Sequence, residues 1–339
     1  MISLLPKYRL SLVPLRRHTR ARVYGSSLMH RQQSLQLHTT TSHTKSGILS
    51  TLLQTAKTKD PITAQWHGQP THESRPDLVR KDDTTPGISG AEYEARRQKL
   101  VSQLPKGSTL FLFSSQIFFV SPHVFHNFRQ DSDFFYLTGW NEPDSVVVIE
   151  QSDHASRGYT MTMFVSPKDP EKELWEGPRN GIEAAVSIFG ADEAHHIGEF
   201  PRYATELTSR ISSRPADRGY VYVDLDGKHS MLSSPHCDAL RRNLERENLG
   251  SRTRQLSQVV QRLRLIKSSA EINLMREAGR ISGLGFRYII NRCTPGMNES
   301  TLQSMFEHAC KMALVDKSDS DGDSRCVDRS ALTRPAYVP

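Results

Sequence analysis

A run of four aliphatic residues at 146–149 constrains the fold of this chain more than any other feature. Val146, Val147 and Val148 are followed by Ile149, so both faces of a strand there would be apolar. A strand buried on both faces is typical of the centre of a sheet that is covered by helices on each side. The run therefore predicts the middle of a layered α/β domain.

Strand and helix patterns alternate on either side of this run. Strands are predicted where aliphatic and aromatic residues are bounded by turn residues, and helices where apolar residues recur at three- and four-residue steps. The alternation favours an α/β domain that covers 88–250. The further predicted strands lie at 109–113, 159–165 and 220–225, and the predicted helices lie at 92–103, 181–189 and 203–211.

From 251 onward the pattern changes to long helices. Ser268 and Glu271 form the S-x-x-E pattern of a capping box, in which two backbone donors at a helix start are satisfied reciprocally. We expect this helix to end at 294–296 and a second helix to start near Glu299, so that 251–313 opens a second domain. The residues that the first helix is expected to bury are Ile272, Met275, Ile281 and Ile289.

The first 59 residues differ in composition from the rest. They contain ten of the 44 Lys and Arg but no Asp or Glu, so the other 34 basic residues are outnumbered by the 37 acidic ones. An Arg- and Ser-rich segment without acids is typical of a mitochondrial transit peptide. We expect a disordered leader at 1–59, cleaved after Tyr24, and an extended or disordered linker at 60–87. A basic tail that binds RNA or acidic proteins is the alternative.

Motifs that carry chemistry are missing from the sequence. There is no GxSxG elbow, no GxxxxGK[ST] phosphate loop and no HExxH helix, and the four cysteines form no CxxC pair. The alternating acids at 319–323 are followed by Ser324 where a calcium loop needs Gly, so we expect a disordered acidic loop and tail at 314–339. No run approaches the roughly 18 apolar residues of a membrane helix. The residues alone predict an α/β domain without an active site.

Two motifs go further, because they resemble those of a known family. RQDSDFFYLTGWNEP at 129–143 resembles the RQxSDFxYLTGFxEP signature of the aminopeptidase P N-terminal domain, and DPEKELWEGPR at 169–179 is similar to that family's DPxxELWxGPR segment. KSSAEI at 267–272 resembles the KSPEEI helix start, with Ser269 and Ala270 departing from it. The segments that look like the mitochondrial branch, the Xaa-Pro aminopeptidase 3 and intermediate-cleaving peptidase group, lie at 68–70, 85–89 and 93–97.

The resemblance implies a fold and a chemistry. It implies an α/β N-terminal domain, a mixed sheet flanked by helices, followed by only the first helices of a pita-bread catalytic domain. Relatives of full length are manganese-dependent aminopeptidases, in which two metal ions held by two Asp, one His and two Glu activate a water molecule. All five ligands lie beyond the position that matches Pro339. We therefore expect no catalytic residue, no metal ligand and no bound manganese in this chain.

Some motif residues are expected to have structural or supporting roles. The aromatic motif residues are expected to pack in the core or between domains: Phe134, Phe135, Tyr136 and Trp140. Arg129, Asp131 and Asp133 are expected to form ion pairs within or between domains. The residues that we single out, as structural residues or as residues that support the substrate site, are Arg129, Asp131, Asp133, Tyr136, Gly139, Glu142, Pro143 and Trp175.

The leading hypothesis is a mitochondrial metallo-aminopeptidase that trims N-terminal residues from processed precursors, of which this chain is an incomplete and inactive part. It would act in the matrix or at the matrix side of the inner membrane. Its partners would be peptide or precursor-protein substrates and a second copy in a homodimer, without nucleic acid or membrane. The alternative is a non-catalytic short isoform that serves as a binding or dimerisation subunit. A third hypothesis, an RNA-binding protein, depends only on the charge of the leader.

Overall fold

The computed structural model describes residues 67–121, 124–215, 218–225 and 234–315. The predicted leader, its cleavage after Tyr24, and the acidic tail from 316 onward lie outside these residues. Within the described ranges, no helix combines the length and the apolar character needed to cross a membrane.

The described residues contain ten strands, which form one six-stranded sheet and two short hairpins. The strands are β1 (Asp83–Thr85), β2 (Ile88–Ser89), β3 (Thr109–Phe113), β4 (Phe119–Ser121), β5 (Val124–Phe125), β6 (Val146–Gln151), β7 (Tyr159–Val165), β8 (Glu193–His196), β9 (Val221–Tyr222) and β10 (Thr253–Arg254). The large sheet has the order β10-β9-β3-β6-β7-β8 and is mixed, because β6 runs antiparallel to β3 and β7 while the outer pairs are parallel.

Nine α-helices accompany the strands in the described part of the chain. They are α1 (Gly90–Ser102), α2 (Ser132–Thr138), α3 (Pro170–Glu176), α4 (Gly181–Ser187), α5 (Phe200–Ser212), α6 (Pro235–Arg246), α7 (Ser257–Leu265), α8 (Ser269–Ile290) and α9 (Glu299–Val315). The predicted helix at 203–211 begins earlier, at Phe200, because Pro201 occupies the first turn, where its missing N–H costs nothing.

The aliphatic run lies at the centre of the sheet, as predicted. Val147 and Ile149 belong to the core on one face, and Val146 and Val148 belong to the core on the other face. The strand predicted at 220–225 is shorter in the structure, because only Val221 and Tyr222 of that segment pair with β3 and β10. The α/β class inferred from the pattern is confirmed, and the sheet is mixed.

Helices cover both faces of the sheet. One core includes apolar residues of α1, α2, α4 and α7, and the other includes those of α5 and α6. Phe134 and Trp140, which were expected to pack internally, are fully buried, whereas Phe135 and Tyr136 are half-buried. The large sheet and the elements from β1 to α7 are together called the sheet domain below.

The predicted linker at 60–87 is wrong for the residues that the structure describes. Val79 is completely buried, and the hydroxyl groups of Thr85 and Tyr93 lie 2.8 Å apart in a buried hydrogen bond. Prolines and glycines favour tight turns as readily as disordered chain, and here the turns pack on the sheet domain. From 67 onward the segment is therefore part of the fold.

The helices α8 and α9 form a hairpin, called the α8–α9 hairpin below. The predicted capping box is confirmed, because the Ser268 hydroxyl accepts from the N–H of Glu271 and the Glu271 carboxylate accepts from the N–H of Ser268. A Cβ at Gly285 would lie 2.8 Å from Sγ of Cys310, so the two helices approach closely there. The predicted burial is correct for Ile281 alone.

The other predicted core positions of α8 are not buried. Ile272 and Met275 are exposed and Ile289 is half-buried. Gly285, which faces Cys310 and Phe306 of α9, lies one helical turn from both Ile281 and Ile289, whereas helical spacing puts Ile272 and Met275 on other faces of α8. The prediction was wrong because periodicity identifies an apolar face without identifying what covers it.

Candidate functional site

The helix α2 begins and ends within the motif segment at 129–143. The Asp131 carboxylate accepts hydrogen bonds from the N–H groups of Asp133 and Phe134, at 3.0 and 2.8 Å, and caps the first turn. Gly139 ends the helix with a φ of 72°, a left-handed conformation that favours glycine. A Cβ there would lie 2.9 Å from Cζ of Tyr93. Motif residues therefore fix both ends of this helix.

Glu142 is buried in the turn that follows α2. It is 4% exposed, and its Oε1 accepts a hydrogen bond of 2.6 Å from the N–H of Asn180. Gly68 packs so closely that a Cβ there would lie 2.0 Å from Oε1. Burial raises the pKa of Glu142 to about 7, although the hydrogen bond from Asn180 and the charge of Arg179 act in the opposite direction. This carboxyl group therefore binds a proton near neutral pH.

Two glutamine side chains connect the motif segments around Glu142. Nε2 of Gln69 donates to the carbonyl of Gly139 at 2.9 Å, and Oε1 of Gln69 accepts from Nδ2 of Asn180 at 3.4 Å. Nε2 of Gln130 donates to the carbonyl of Glu142 at 2.8 Å. These four residues, Gln69, Gln130, Glu142 and Asn180, are called the Glu142 cluster. The cluster joins segments at 68–70, 129–143 and 169–180, which are far apart in sequence.

Tyr136 of α2 lies beside two arginines. The Cζ atoms of Arg96 and Arg264 lie 4.3 and 5.9 Å from the centre of its ring, within the range of cation–π attraction. Asp133 forms an ion pair with Arg264, so the ion pair expected for Asp133 is present. Burial raises the pKa of Asp133, while the hydrogen bond and the charge of Arg264 lower it.

Arg96 connects α2 with the start of α8. It donates to the carbonyl of Tyr136 at 3.1 Å and to the carboxylate of Glu92 at 2.6 Å. The same carboxylate oxygen of Glu92 accepts from the hydroxyl of Ser268 at 2.7 Å. The segment that resembles the family's helix start thus lies against α1.

The remaining motif residues are dispersed. Trp175 is 87% exposed on α3, a helix with no buried residue, and Arg129 is also exposed. Pro143 is buried, and its carbonyl accepts from the hydroxyl of Ser145 at 3.1 Å. The structure therefore places the carbonyl of Gly139 against the Glu142 cluster but leaves Trp175 apart. A second cluster consists of Asp133, Tyr136, Arg96 and Arg264.

Five residues that organise these clusters were not singled out from the sequence. Each lies in or next to a quoted motif: Gln69 in the segment at 68–70, Arg96 in the segment at 93–97, Gln130 in the first motif and Asn180 directly after the second. Arg264 precedes the helix start at 267–272. Position within a motif was the signal that could have found them, whereas their partners could not be read from the sequence.

Both clusters connect segments that are far apart in the sequence. Among the described residues, no group of three or more His, Cys, Asp or Glu side chains could hold a metal ion. A cavity of about 370 Å³ lies near the ends of β9 and β10, lined by residues such as Val223, Arg241 and Arg254, and its lining includes no residue of the motif segments. The clusters fasten the motif segments to one another and to α8.

Comparison with known proteins identifies a matching family model and several proteins of similar sequence. The sequence profile of the aminopeptidase P N-terminal domain matches residues 93–214. Intermediate cleaving peptidase 55 of Saccharomyces cerevisiae is 35% identical over 262 residues, which make up 75% of this chain and 49% of that protein. Xaa-Pro aminopeptidase 3 of Homo sapiens is 31% identical over 265 residues, with 75% and 50% covered.

Solved structures agree with the sequence relatives. Aminopeptidase P from E. coli, in its low-pH form, superposes with a TM-score of 0.57 and 29% sequence identity, covering 67% of this chain and 50% of that one. The chain thus spans about half the length of the curated relatives and solved structures that it matches.

Proposed function

Because this chain belongs to the aminopeptidase P family, we propose that it supplies the N-terminal domain and the first peptidase-domain helices of a metallo-aminopeptidase. The observation that carries this proposal is the convergence of the motif segments at 68–70, 129–143 and 169–180 on the Glu142 cluster. We place the boundary between the two domains after α7, because β10 pairs in the large sheet and Val260 and Leu263 of α7 belong to its core. The α8–α9 hairpin then opens the second domain.

The proposed reaction is the release of N-terminal residues from peptides and from precursors that another protease has already cut. The names of the relatives, Xaa-Pro aminopeptidase and intermediate cleaving peptidase, support this substrate class. Two manganese ions are the proposed cofactor of the active enzyme. The described residues do not fit such a site, so we assign no step of the reaction to them.

The proposed location is the mitochondrial matrix or the matrix side of the inner membrane. The acid-free basic composition of 1–59 supports it, and the relative from Arabidopsis thaliana is named as mitochondrial. Removal of the leader after Tyr24 is part of this proposal.

The experiment isolates the endogenous protein from mitochondria with an antibody against the sheet domain. Its intact mass and N-terminal sequence are determined, and its hydrolysis of Xaa-Pro peptides and processed precursors is assayed with manganese and with a chelator. We expect an N-terminus near 25 and manganese-stimulated, chelator-sensitive release by the endogenous protein, but no turnover by the purified chain of 339 residues. An intact N-terminus at Met1 contradicts the location, and turnover by the purified chain contradicts the assignment of the ligands to another part.

A second candidate function, a non-catalytic binding or dimerisation subunit, is favoured by one observation. Phe286, Ile290 and Met312 of the α8–α9 hairpin are exposed apolar residues, and such patches mark association surfaces. An endogenous mass below 38.4 kDa, with an end at Pro339 and no peptidase activity, would favour this function over the first.

A further inference from the structure

At the start of α8, the α8–α9 hairpin contacts the sheet domain through polar side chains that are partly buried. Ser268 and Glu271 close the capping box of α8, and the structure ties each of them to α1. The hydroxyl of Ser268 donates to Glu92 at 2.7 Å, and the carboxylate of Glu271 lies 3.5 Å from the guanidinium of Arg96. A capping box is usually a local device, but here both of its side chains also contact another helix.

Arg96 is the centre of this arrangement. Its guanidinium is bonded to Glu92 on its own helix and to the carbonyl of Tyr136 on α2, and it lies over the rings of Tyr93 and Tyr136. Only 8% of its side chain is exposed. A guanidinium has five donors in a planar fork, so one arginine can satisfy partners on three helices at once.

The connection between α7 and α8 offers little apolar anchoring. Leu265 and Ile266 are both exposed, and Ile266 has an extended backbone. Lys267 donates to the carbonyl of Arg264 at 2.7 Å and closes the end of α7. Beyond the connection, a Cβ at Gly87 would lie 2.8 Å from Leu274, which marks where α8 touches the turn between β1 and β2.

From these contacts we infer that Arg96 is a positioning residue, which sets the direction of the α8–α9 hairpin relative to the sheet domain. Residues 265–267 are the hinge, and the ring of contacts formed by Glu92, Arg96, Ser268 and Glu271 holds the hinge at one angle. The inference deepens the proposed function and rests on it, since the hairpin opens the proposed peptidase domain. Arg96 would then fix how that domain sits against the N-terminal domain.

The test measures distances between two spin labels in the full chain by pulsed electron paramagnetic resonance. One label is placed at Ser209, exposed on α5, and the other at Thr301, exposed near the start of α9. Since α8 is 22 residues long, it acts as a lever of about 33 Å. Cys237 is buried and is kept, while the other cysteines, Cys293, Cys310 and Cys326, are replaced by Ser.

Two variants and one control separate positioning from stability. Arg96→Met removes the guanidinium but keeps the apolar stem. Glu271→Gln removes the charge that faces Arg96, yet Gln can still close a capping box, and the change lies outside the sheet domain. Arg280→Met is the control, because it breaks an exposed pair with Glu277 on the same helix without touching the ring of contacts.

We expect one narrow distance distribution for the parent and for Arg280→Met, and a second, displaced population for Arg96→Met and Glu271→Gln. The midpoint temperature for thermal unfolding of the sheet domain should not change in Glu271→Gln. This measurement separates a change in the direction of the hairpin from a loss of folding. If Arg96→Met does not fold, Glu271→Gln decides. An unchanged distribution in Glu271→Gln, a broad distribution in the parent, or equal broadening in the control overturns the inference. None of these outcomes depends on peptidase activity, so this inference and the proposed function can be contradicted independently of each other.

Discussion

The sheet domain and the α8–α9 hairpin differ in how their apolar residues are used, although both follow regular patterns in the sequence. In the sheet domain, helices bury apolar side chains on both faces of the central strands. In the hairpin, α8 buries only Ile281 and Gly285, and Ile272 and Met275 are 37% and 42% exposed. The comparison shows that an apolar pattern predicts a surface that is able to pack, while burial depends on a second element.

The largest effect is expected in the sheet domain at Trp140. This side chain is completely buried, its Nε1 donates to the hydroxyl of Ser145 at 3.0 Å, and it meets the ring of Phe189 edge-on. Trp140→Ala should lower the free energy of unfolding by about 3–5 kcal/mol, because a large cavity remains and the buried hydroxyl of Ser145 loses one of its two hydrogen bonds. Urea unfolding followed by circular dichroism measures the change.

Trp175→Ala is the matched control, because it makes the same chemical change at an 87% exposed position of the same domain. Its effect should stay within about 0.5 kcal/mol. Similar losses of stability in the two variants would contradict the difference in burial on which the comparison depends.

The next effect concerns the buried carboxyl group of Glu142. Its pKa in the folded protein, about 7, lies above its ordinary value of 4.5. The folded state therefore holds a proton that the unfolded state releases, so the stabilising contribution is greatest at low pH and is lost as the pH rises from about 4.5 to about 7. The contribution of Glu142 to the free energy of unfolding that is lost over this pH range is on the order of 3 kcal/mol.

Glu142→Gln keeps an oxygen that can accept from Asn180 but removes the titration. We expect the variant to be more stable than the parent at pH 8, and the difference to shrink or reverse at pH 5. Urea unfolding at several pH values measures it. Parallel curves for the two proteins would show that the carboxyl group does not titrate differently on folding.

A smaller effect is expected at the glycine that ends α2. Gly139→Ala puts a Cβ into a left-handed conformation and against the ring of Tyr93, so a loss of about 2–3 kcal/mol is expected from strain and close contact together. Gly158→Ala, in the turn before β7, shares the positive φ but has open space around it. This control should lower the free energy of unfolding by about 1 kcal/mol. Equal losses of stability in the two variants would mean that the ring of Tyr93 moves aside without an energetic cost.

The sequence predicted the parts of the fold that depend on local pattern. Val146 to Ile149 required a covered central strand, and Ser268 with Glu271 required a helix start, and both are present. The parts that failed depend on distant partners. Gln69 binds the turn at Gly139 across 70 residues, so its segment could not be recognised as folded from its own composition.

The candidate site shows the same limit. The motif resemblance singled out Glu142 and Tyr136, but not Asn180 or Arg264, which hold them in place. A motif records which residue types recur, whereas a buried hydrogen bond or ion pair is a property of two positions brought together by the fold. The roles of the motif residues therefore needed the structure, although their positions did not.

The smallest effect is expected on the exposed face of the hairpin, and it is the most direct test of the comparison. Ile272→Gln and Met275→Gln replace side chains that are already partly in water, so each should change the free energy of unfolding by less than about 0.5 kcal/mol. Ile281→Gln is the matched control at the buried position of the same helix, and burial of its amide without a partner should cost about 1–3 kcal/mol. Amide hydrogen exchange of α9 measures the outcome locally, since α9 loses its packing partner only in the control. A large effect at Ile272 or Met275 would mean that these residues are covered in solution, and the hairpin would then follow the same rule as the sheet domain.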